Sequence, residues 1–264
     1  MVTKYSMEET PSVSVIIPYS SDHTSEELLE KAIDSVNMQE IQTHLIIVED
    51  TKLRGPAWAR NNGLEQADNR YVAFLDADDK WLPHKLERQL TQLEDADAGM
   101  CIEGSGITAD SLQKSLLLSD ISSKTSSILI DRKKVDVKFD TDLERKEDHF
   151  FLLEASLQAE VCSVPDLVEI RKQPDGLSAQ TDPKKSIQYR KKFYQRAIDL
   201  VEPDDHLESR SIARLQFRNG RTWHYAGDYR RAIRYFIKSL KCNFYWKTIP
   251  ALFMSAIMLI LGKN

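Results

Sequence analysis

Between residues 13 and 94 short apolar runs alternate with amphipathic stretches, at 13–18, 24–38, 44–48, 56–67, 71–75 and 83–94. Repeated strand-then-helix alternation leaves few folds open, because strands joined by helices run parallel and bury both faces of their sheet. The sequence therefore predicts an α/β fold with a mostly parallel central sheet. Thr24 and Glu27 have capping-box spacing before Leu28, Leu29, Ala32, Ile33 and Val36, which share one helical face. Pro56 and Pro83 each stand where a first helical residue would be. In open sheets of this kind ligands bind at the carboxyl ends of the strands, where Tyr19-Ser20, Glu49-Asp50 and the carboxylates of 76–79 all fall.

The last of those ends carries the most chemistry. Residues 70–79 read Arg-Tyr-Val-Ala-Phe-Leu-Asp-Ala-Asp-Asp, so an apolar strand delivers Asp76, Asp78 and Asp79 to one rim. Carboxylates this close repel one another, whereas a bound divalent cation makes the same cluster favourable. Hard oxygen ligands on a short tether suit Mg²⁺ or Mn²⁺ bridging protein to a substrate's phosphates. Taken alone, the tetrad reads equally well as a solvated acidic turn after an edge strand. A second acidic motif, Lys146-Glu147-Asp148-His149, opens an apolar helix over 150–155. By itself it reads as capping that favours the helix dipole, with His149 a surface helix residue.

With 36 Lys and Arg against 41 Asp and Glu, the net charge of −5 gives no reason to expect nucleic acid as partner. Cys101, Cys162 and Cys242 lack CxxC spacing, which argues against a zinc ribbon or a disulfide framework and fits a reducing cytoplasm. Residues 1–10, with Lys4, Glu8 and Glu9 and no apolar core, do not read as a secretory signal. Residues 95–145 are less regular, with a Ser/Thr-rich patch over 119–127 leading into a strand over 128–130, and read as an acceptor-facing or lid region.

After about Asp182 the chain turns to charged amphipathic helix as far as Leu240. Two regions are expected, residues 1–182 and a helical residues 183–264. Gly227-Asp228-Tyr229 with Ala232, Tyr235, Phe236 and Leu240 resembles half of a tetratricopeptide hairpin, one unit and so no repeat scaffold. Residues 249–261 carry no charge, follow Phe244-Tyr245-Trp246 and are flanked by Lys241, Lys247 and Lys263. The stretch is too short for a confident membrane span; it fits a segment lying in the bilayer interface and equally a helix packed on the preceding hairpin.

Together these residues resemble glycosyltransferase family 2, the inverting nucleotide-sugar-dependent enzymes of the A-type (GT-A, Rossmann-like) fold, over roughly residues 12–180. The first strand resembles the family's own, ending Pro18-Tyr19-Ser20 with Ser20 at or beside an Asn position. Asp50 corresponds to the acid that holds nucleobase or ribose. Gly55, Ala59-Arg60-Asn61 and Gly63-Leu64 resemble the Gly…Ala-Arg-Asn-x-Gly segment, with Arg60 near the nucleotide. Phe74-Leu75-Asp76-Ala77-Asp78-Asp79, with Trp81 and Pro83, matches the metal-binding (DXD) signature. Phe139-Asp140 and Glu147-Asp148 match the segment that supplies the acceptor-side base.

The resemblance implies a mostly parallel GT-A domain followed by a helical extension, with Mn²⁺ or Mg²⁺ as cofactor. It also implies a nucleotide-sugar donor, UDP-linked by family habit, bound by Pro18, Tyr19, Ser20, Asp50, Arg60, Asp76, Ala77, Asp78 and Arg171. Asp78, with Asp76 or Asp79 assisting, would hold the metal; Asp148 would be the catalytic base and Glu147 its reserve. A glycan or lipid-linked acceptor and a cytoplasmic enzyme follow, with peripheral contact at the inner face of the membrane through the C-terminal tail. The family's closing Tyr-Arg-x-His…Ser corresponds here to Ile170-Arg171-Lys172-Gln173…Ser178, so Gln173 stands where a histidine is common. Three other readings are a metal-dependent nucleotidyltransferase, a glycoside hydrolase using its paired carboxylates, and an inactive transferase-like interaction module. The hydrolase needs no strand-end metal cluster, and the chain has no phosphate-cradling GxxxxGK loop.

Overall fold

The expected alternation is realised as β1 (Ser12–Tyr19), α1 (Glu26–Asn37), β2 (Gln42–Glu49), α2 (Pro56–Gln66), β3 (Tyr71–Phe74), β4 (Lys80–Trp81) and α3 (Lys85–Asp95). These elements come from a computed structural model that describes residues 11–121, 124–171 and 182–262. Gln173 and Ser178 of the closing segment, and residues 1–10, lie outside the described residues.

β1 pairs parallel with both β2 and β3, in a register that sets Tyr19 against Glu49 and Ile16 against Phe74. The three carboxyl ends therefore share one rim. The sheet continues through β6 (Leu129–Asp131), β5 (Met100–Glu103) and β7 (Val161–Val164), in the order β2-β1-β3-β6-β5-β7. β6 runs antiparallel to both its neighbours, so the sheet is mostly, not wholly, parallel. β4 and β8 (Val168–Glu169) form a separate two-stranded ribbon.

Side chains alternate across β1. Val13, Val15 and Ile17 join the core under α1 and α3, with Ala32, Val36, Leu86, Leu90 and Leu93. Ile16 faces the other way, against α2, where Gly63 lets the helix approach: a Cβ there would lie 2.4 Å from Ile16 Cγ2. Cys101 and Cys162, far apart in sequence, are buried cross-strand neighbours and free thiols.

Local details differ from the sequence reading. The N-cap of α1 is Ser25, not Thr24, and Glu27 pairs with Lys31 rather than closing a capping box. Pro56 does open α2, whereas Pro83 lies outside α3, which starts at Lys85 after His84 in a left-handed conformation. Residues 95–145 are more regular than their composition suggests: besides β6, which realises the strand expected over 128–130, they supply β5 and α4 (Ala109–Leu118).

The chain forms two compact units that interleave along the sequence, where the sequence suggests a single cut at 182/183. The first holds the sheet and is drawn from residues 1–109, 123–141 and 154–171. The second collects 110–122, 142–153 and the remainder from 172. In the second unit α6 (Pro183–Val201), α7 (Asp205–Tyr225), α8 (Tyr229–Cys242) and α9 (Thr248–Ile260) follow in turn. Asp182, Asp204 and Asp228 cap α6, α7 and α8 through their side chains.

α7 and α8 fold back on each other at Gly227, whose φ of +81° a side chain would strain. They enclose Phe217, Ala232 and Phe236, against which Tyr245, Ala251 and Leu252 pack. Ser255 of α9 lies 2.8 Å from His224 of α7. α9 thus packs on the hairpin by one face and exposes Phe253, Met254, Ile257 and Ile260 on the other.

Candidate active site

At the shared rim of the first unit the backbone is tied first. The Asp50 amide donates to Tyr19 O at 2.8 Å, and the Leu75 amide to Ile16 O at 3.0 Å, which fixes where Asp50 and Asp76 emerge. Pro18, Tyr19 and Ser20 line this rim half-exposed. Asp50 is buried, and its Oδ2 accepts from the Gly55 amide at 2.7 Å. Gly55 has φ +98°, a conformation that suits glycine and that aims its N–H back at the carboxylate before Pro56 opens α2. Oδ1 of Asp50 is equally buried and has no hydrogen-bond partner among the described residues. The Arg54 guanidinium lies 3.9 Å from it and stacks on Trp58. A buried carboxylate oxygen without a donor is costly, and a ligand N–H or hydroxyl would satisfy it.

Arg60 comes up from α2 and donates to Asp76 Oδ1 at 2.7 Å, its side chain only 5% exposed and resting over the Phe139 ring. Asn61 of the same helix holds the backbone of Phe139 with two hydrogen bonds. The turn itself closes with the Asp79 amide donating to Asp76 O. Asp76 and Asp78 remain half-exposed while Ala77 and Asp79 are buried.

Asp79 faces inward. Its Oδ2 accepts from the Ser126 hydroxyl at 2.5 Å and its Oδ1 from the Arg171 amide at 3.2 Å. Burial pushes the Asp79 carboxyl up to about 7; the Ser126 hydrogen bond opposes this, and the charges of Asp76 and Asp78 add to it. Consistent with that inward turn, Asp76, Asp78 and Asp79 do not bring three ligand oxygens within 4.8 Å of one another. Among the described residues only the partly exposed Glu40, His84 and Glu87 do so. The donor set available at the rim is thus two hard carboxylates two residues apart, which fits a Mg²⁺ or Mn²⁺ ion completed by phosphate and water oxygens. The backbone at Arg171 closes this part of the site; its side chain is exposed.

Ser126 is a site residue that sequence reasoning missed. Its hydroxyl also accepts from the Asp76 amide, and its carbonyl accepts from Trp81 Nε1. Behind it, Gln89 donates to Ser127 O and Cys101 O and accepts from Lys85, a lysine with no exposed surface lying 4.0 Å over the Trp81 ring. Burial pushes the Lys85 ammonium down to about 7. No local signal in the sequence marks these links.

Glu147 and Asp148 belong to the second unit, in the first turn of α5 (Glu147–Gln158). Asp148 Oδ1 accepts from the His149 amide at 2.8 Å and lies 3.0 Å from His149 Nδ1. Lys146 Nζ lies 2.8 Å from the other ring nitrogen. With the lysine donating there, the imidazole carries its proton on Nδ1 and gives it to Asp148. His149 is buried, edge-on to Phe193, and not the surface residue its sequence context suggested. It orients Asp148, whose carboxylate is one-fifth exposed. Burial pushes the Lys146 ammonium below its ordinary range, with Arg218 and Arg190 adding to the effect against Asp148 and Glu147.

A mixed sheet in this order, with carboxylates gathered where β1, β2 and β3 end, defines the A-type fold of glycosyltransferases. The structure of S. aureus TarS 1–349 in complex with UDP-GlcNAc matches with a TM-score of 0.58 at 17% identity, over 88% of this chain and 81% of that one. Mannosyltransferase PcManGT from Pyrobaculum calidifontis, in complex with GDP-Man and Mn²⁺, matches at 0.57 and 16%, over 94% and 85%. At those identities the likeness is one of fold. Sequence points the same way: residues 15–134 match the family model described as Glycosyl transferase family 2.

Among curated relatives, the Escherichia coli UDP-Glc:alpha-D-GlcNAc-diphosphoundecaprenol beta-1,3-glucosyltransferase WfgD is 28% identical over 99 residues, 35% of this chain and 39% of that protein. The GalNAc(5)-diNAcBac-PP-undecaprenol beta-1,3-glucosyltransferase of Campylobacter jejuni is 28% identical over 176 residues, 49% and 56% of the two chains. The chain therefore spans between about two fifths and a little over half of these two relatives' own length.

Proposed function

We propose that this protein is an inverting glycosyltransferase that moves a sugar from a nucleoside-diphosphate sugar, UDP-linked, to a hydroxyl of a glycan carried on a lipid diphosphate. The observation that carries the reading is the rim of Asp50, Arg60, Asp76 and Asp78 in a family 2 segment. Asp50, through its unsatisfied oxygen, takes the nucleobase or ribose, and Tyr19 and Ser20 flank it. Asp78 and Asp76 would hold the divalent ion, which when bound supplies Lewis-acid stabilisation of the departing diphosphate. Arg60 fixes the Asp76 carboxylate and adds positive charge at the same rim. Asp79, sequestered by Ser126 and Arg171, anchors the turn rather than ligating.

An acceptor hydroxyl is a poor nucleophile until its proton is taken. Asp148, oriented by His149, accepts that proton as the hydroxyl oxygen attacks the anomeric carbon and the sugar–phosphate bond breaks, in one displacement that inverts the centre. Glu147 is the reserve. The relatives named above act, by their names, on undecaprenyl-diphosphate-linked sugars, which supports a lipid-linked acceptor and a cytoplasmic enzyme touching the inner face of the membrane through its C-terminal tail.

The test is release of nucleoside diphosphate from a panel of nucleotide sugars with Mn²⁺, with and without lipid-linked acceptors. Asp148→Asn is expected to abolish transfer while donor binding by calorimetry persists. Near-normal transfer by that variant removes Asp148 from the role, and release of pyrophosphate from a nucleoside triphosphate replaces the whole reading by nucleotidyl transfer.

A further inference from the structure

The charge of this chain is unevenly spread. Residues 183–264 hold 17 Lys and Arg against 6 Asp and Glu, a net +11, which leaves −16 for residues 1–182. Such asymmetry points to an anionic partner for the basic part. Within it, α8 carries five cations and no carboxylate. Arg231, Arg234, Lys238 and Lys241 recur at i, i+3, i+7 and i+10 and so share one face, opposite the buried Ala232, Phe236 and Ser239. With Lys184 of α6 and the indole of Trp223 they line a groove of about 550 Å³. Arg231 lies 4.5 Å over that indole and also pairs with Asp228. The Trp223 Nε1–H is buried without a hydrogen-bond acceptor among the described residues. Like charges at helical spacing repel, and an anion in the groove would relieve the repulsion.

The adjoining helix adds a second, independent feature. α9 has no charged residue, and its outward face presents Phe253 at 66% exposure and Ile260 at 83%, with Met254 and Ile257 between; Trp246, just ahead of it, is 63% exposed. Thirteen helical residues extend about 20 Å, short of a bilayer's hydrocarbon core of about 30 Å. No helix among the described residues is long and apolar enough to cross a membrane. A nucleic acid would neutralise the groove and leave α9 bare. A second copy of the chain packed α9 against α9 would cover that face but bring two basic grooves together and leave their charge in place. An anionic bilayer satisfies both, with headgroup phosphates against the cations and α9 in the interface.

We propose that α8 and α9 form a docking surface for anionic phospholipid, the α8 groove holding headgroup phosphates while the outward face of α9 enters the interface. This deepens the peripheral-membrane reading above and is independent of which sugar is transferred. Flotation of the whole protein with vesicles of phosphatidylcholine alone, or with about a third phosphatidylglycerol, tests it. The wild type should float with the anionic vesicles about tenfold more than with neutral ones, and the difference should largely vanish at about 0.5 M salt. R234E/K238E/K241E should lose that binding about tenfold, R234Q/K238Q/K241Q by an intermediate amount, and F253S/I257S should weaken binding at every salt concentration.

The proposal is overturned by charge-reversed protein that still floats, or by wild type that ignores anionic lipid. It is equally overturned by duplex DNA competing the vesicles away, or by a dimer that F253S/I257S dissolves without any flotation to lose. Nucleoside diphosphate release from a soluble donor should persist in all three variants, provided their circular dichroism is native. Loss of flotation by the variants with release intact supports the docking surface, wild type that releases nucleoside diphosphate but ignores anionic lipid condemns the docking surface alone, and no release from any protein, wild type included, condemns the transferase reading.

Discussion

Lys85→Met tests the physics that underlies the site. Lys85 has no exposed surface, touches Gln89 Oε1 and the Trp81 ring, and has its ammonium pushed by burial from 10.5 down to about 7. Because the folded value lies below the unfolded one, the unfolded chain binds more protons between those two pH values, so stability rises with pH across that window and sits at its low plateau below it. Each pH unit of that gap is worth about 1.4 kcal/mol, so holding the lysine inside at neutral pH costs on the order of 4 kcal/mol. Methionine has similar length and no such cost. It does leave Gln89 Oε1 without its donor, a loss of about 1–3 kcal/mol. The variant should therefore be more stable than wild type by about 2 kcal/mol near pH 7, and the advantage should shrink to roughly nothing by about pH 9. Urea unfolding followed by tryptophan fluorescence at several pH values measures it, and titrations common to both proteins cancel in the difference. A stability difference that stays constant with pH refutes the reasoning, because it would mean that Lys85 titrates alike in both states.

Gly63→Ala would push a methyl to 2.4 Å from Cγ2 of the buried, β-branched Ile16, and should cost about 1–3 kcal/mol in the same unfolding assay. Ser126→Ala strips both Asp79 Oδ2 and the Asp76 amide of a partner. It should lower stability by about 1–3 kcal/mol and weaken Mn²⁺-dependent nucleotide binding in calorimetry, while unchanged binding would limit Ser126 to a stabilising role. Asp78→Asn should weaken that binding by about tenfold or more and Asp79→Asn by much less; the reverse order would exchange the two residues' roles.

The first half of the sheet was legible because its signals are local. Period-two strands, period-3.6 helices, Pro56 at a helix start and Gly55 before it all speak within a few residues of one another. β5 was harder: it spans four residues, too short to show alternation, and is recognisable as a strand chiefly through its pairing with β7, whereas β6 falls within one residue of the strand expected over 128–130. Thr24 and Ser25 are both good caps, and which one serves depends on how the chain leaves β1, a tertiary matter. His149 was misjudged for the same reason, since its burial depends on Phe193, which lies 44 positions further along the chain.

The site shows the same division between what spacing fixes and what packing decides. Asp76, Asp78 and Asp79 are one residue type at one strand end, and spacing alone delivers all three to the rim. Their different fates come from Arg60, Ser126 and Arg171, which lie 16, 47 and 92 positions away and select one carboxylate for pairing and another for burial. An inward carboxylate with two protein donors is held in place by those hydrogen bonds against its own desolvation: any movement outward would strand the Ser126 hydroxyl and the Arg171 amide. That fixity is what lets the two half-exposed neighbours keep a constant geometry. A rim of three free aspartates would instead relieve its repulsion by spreading apart.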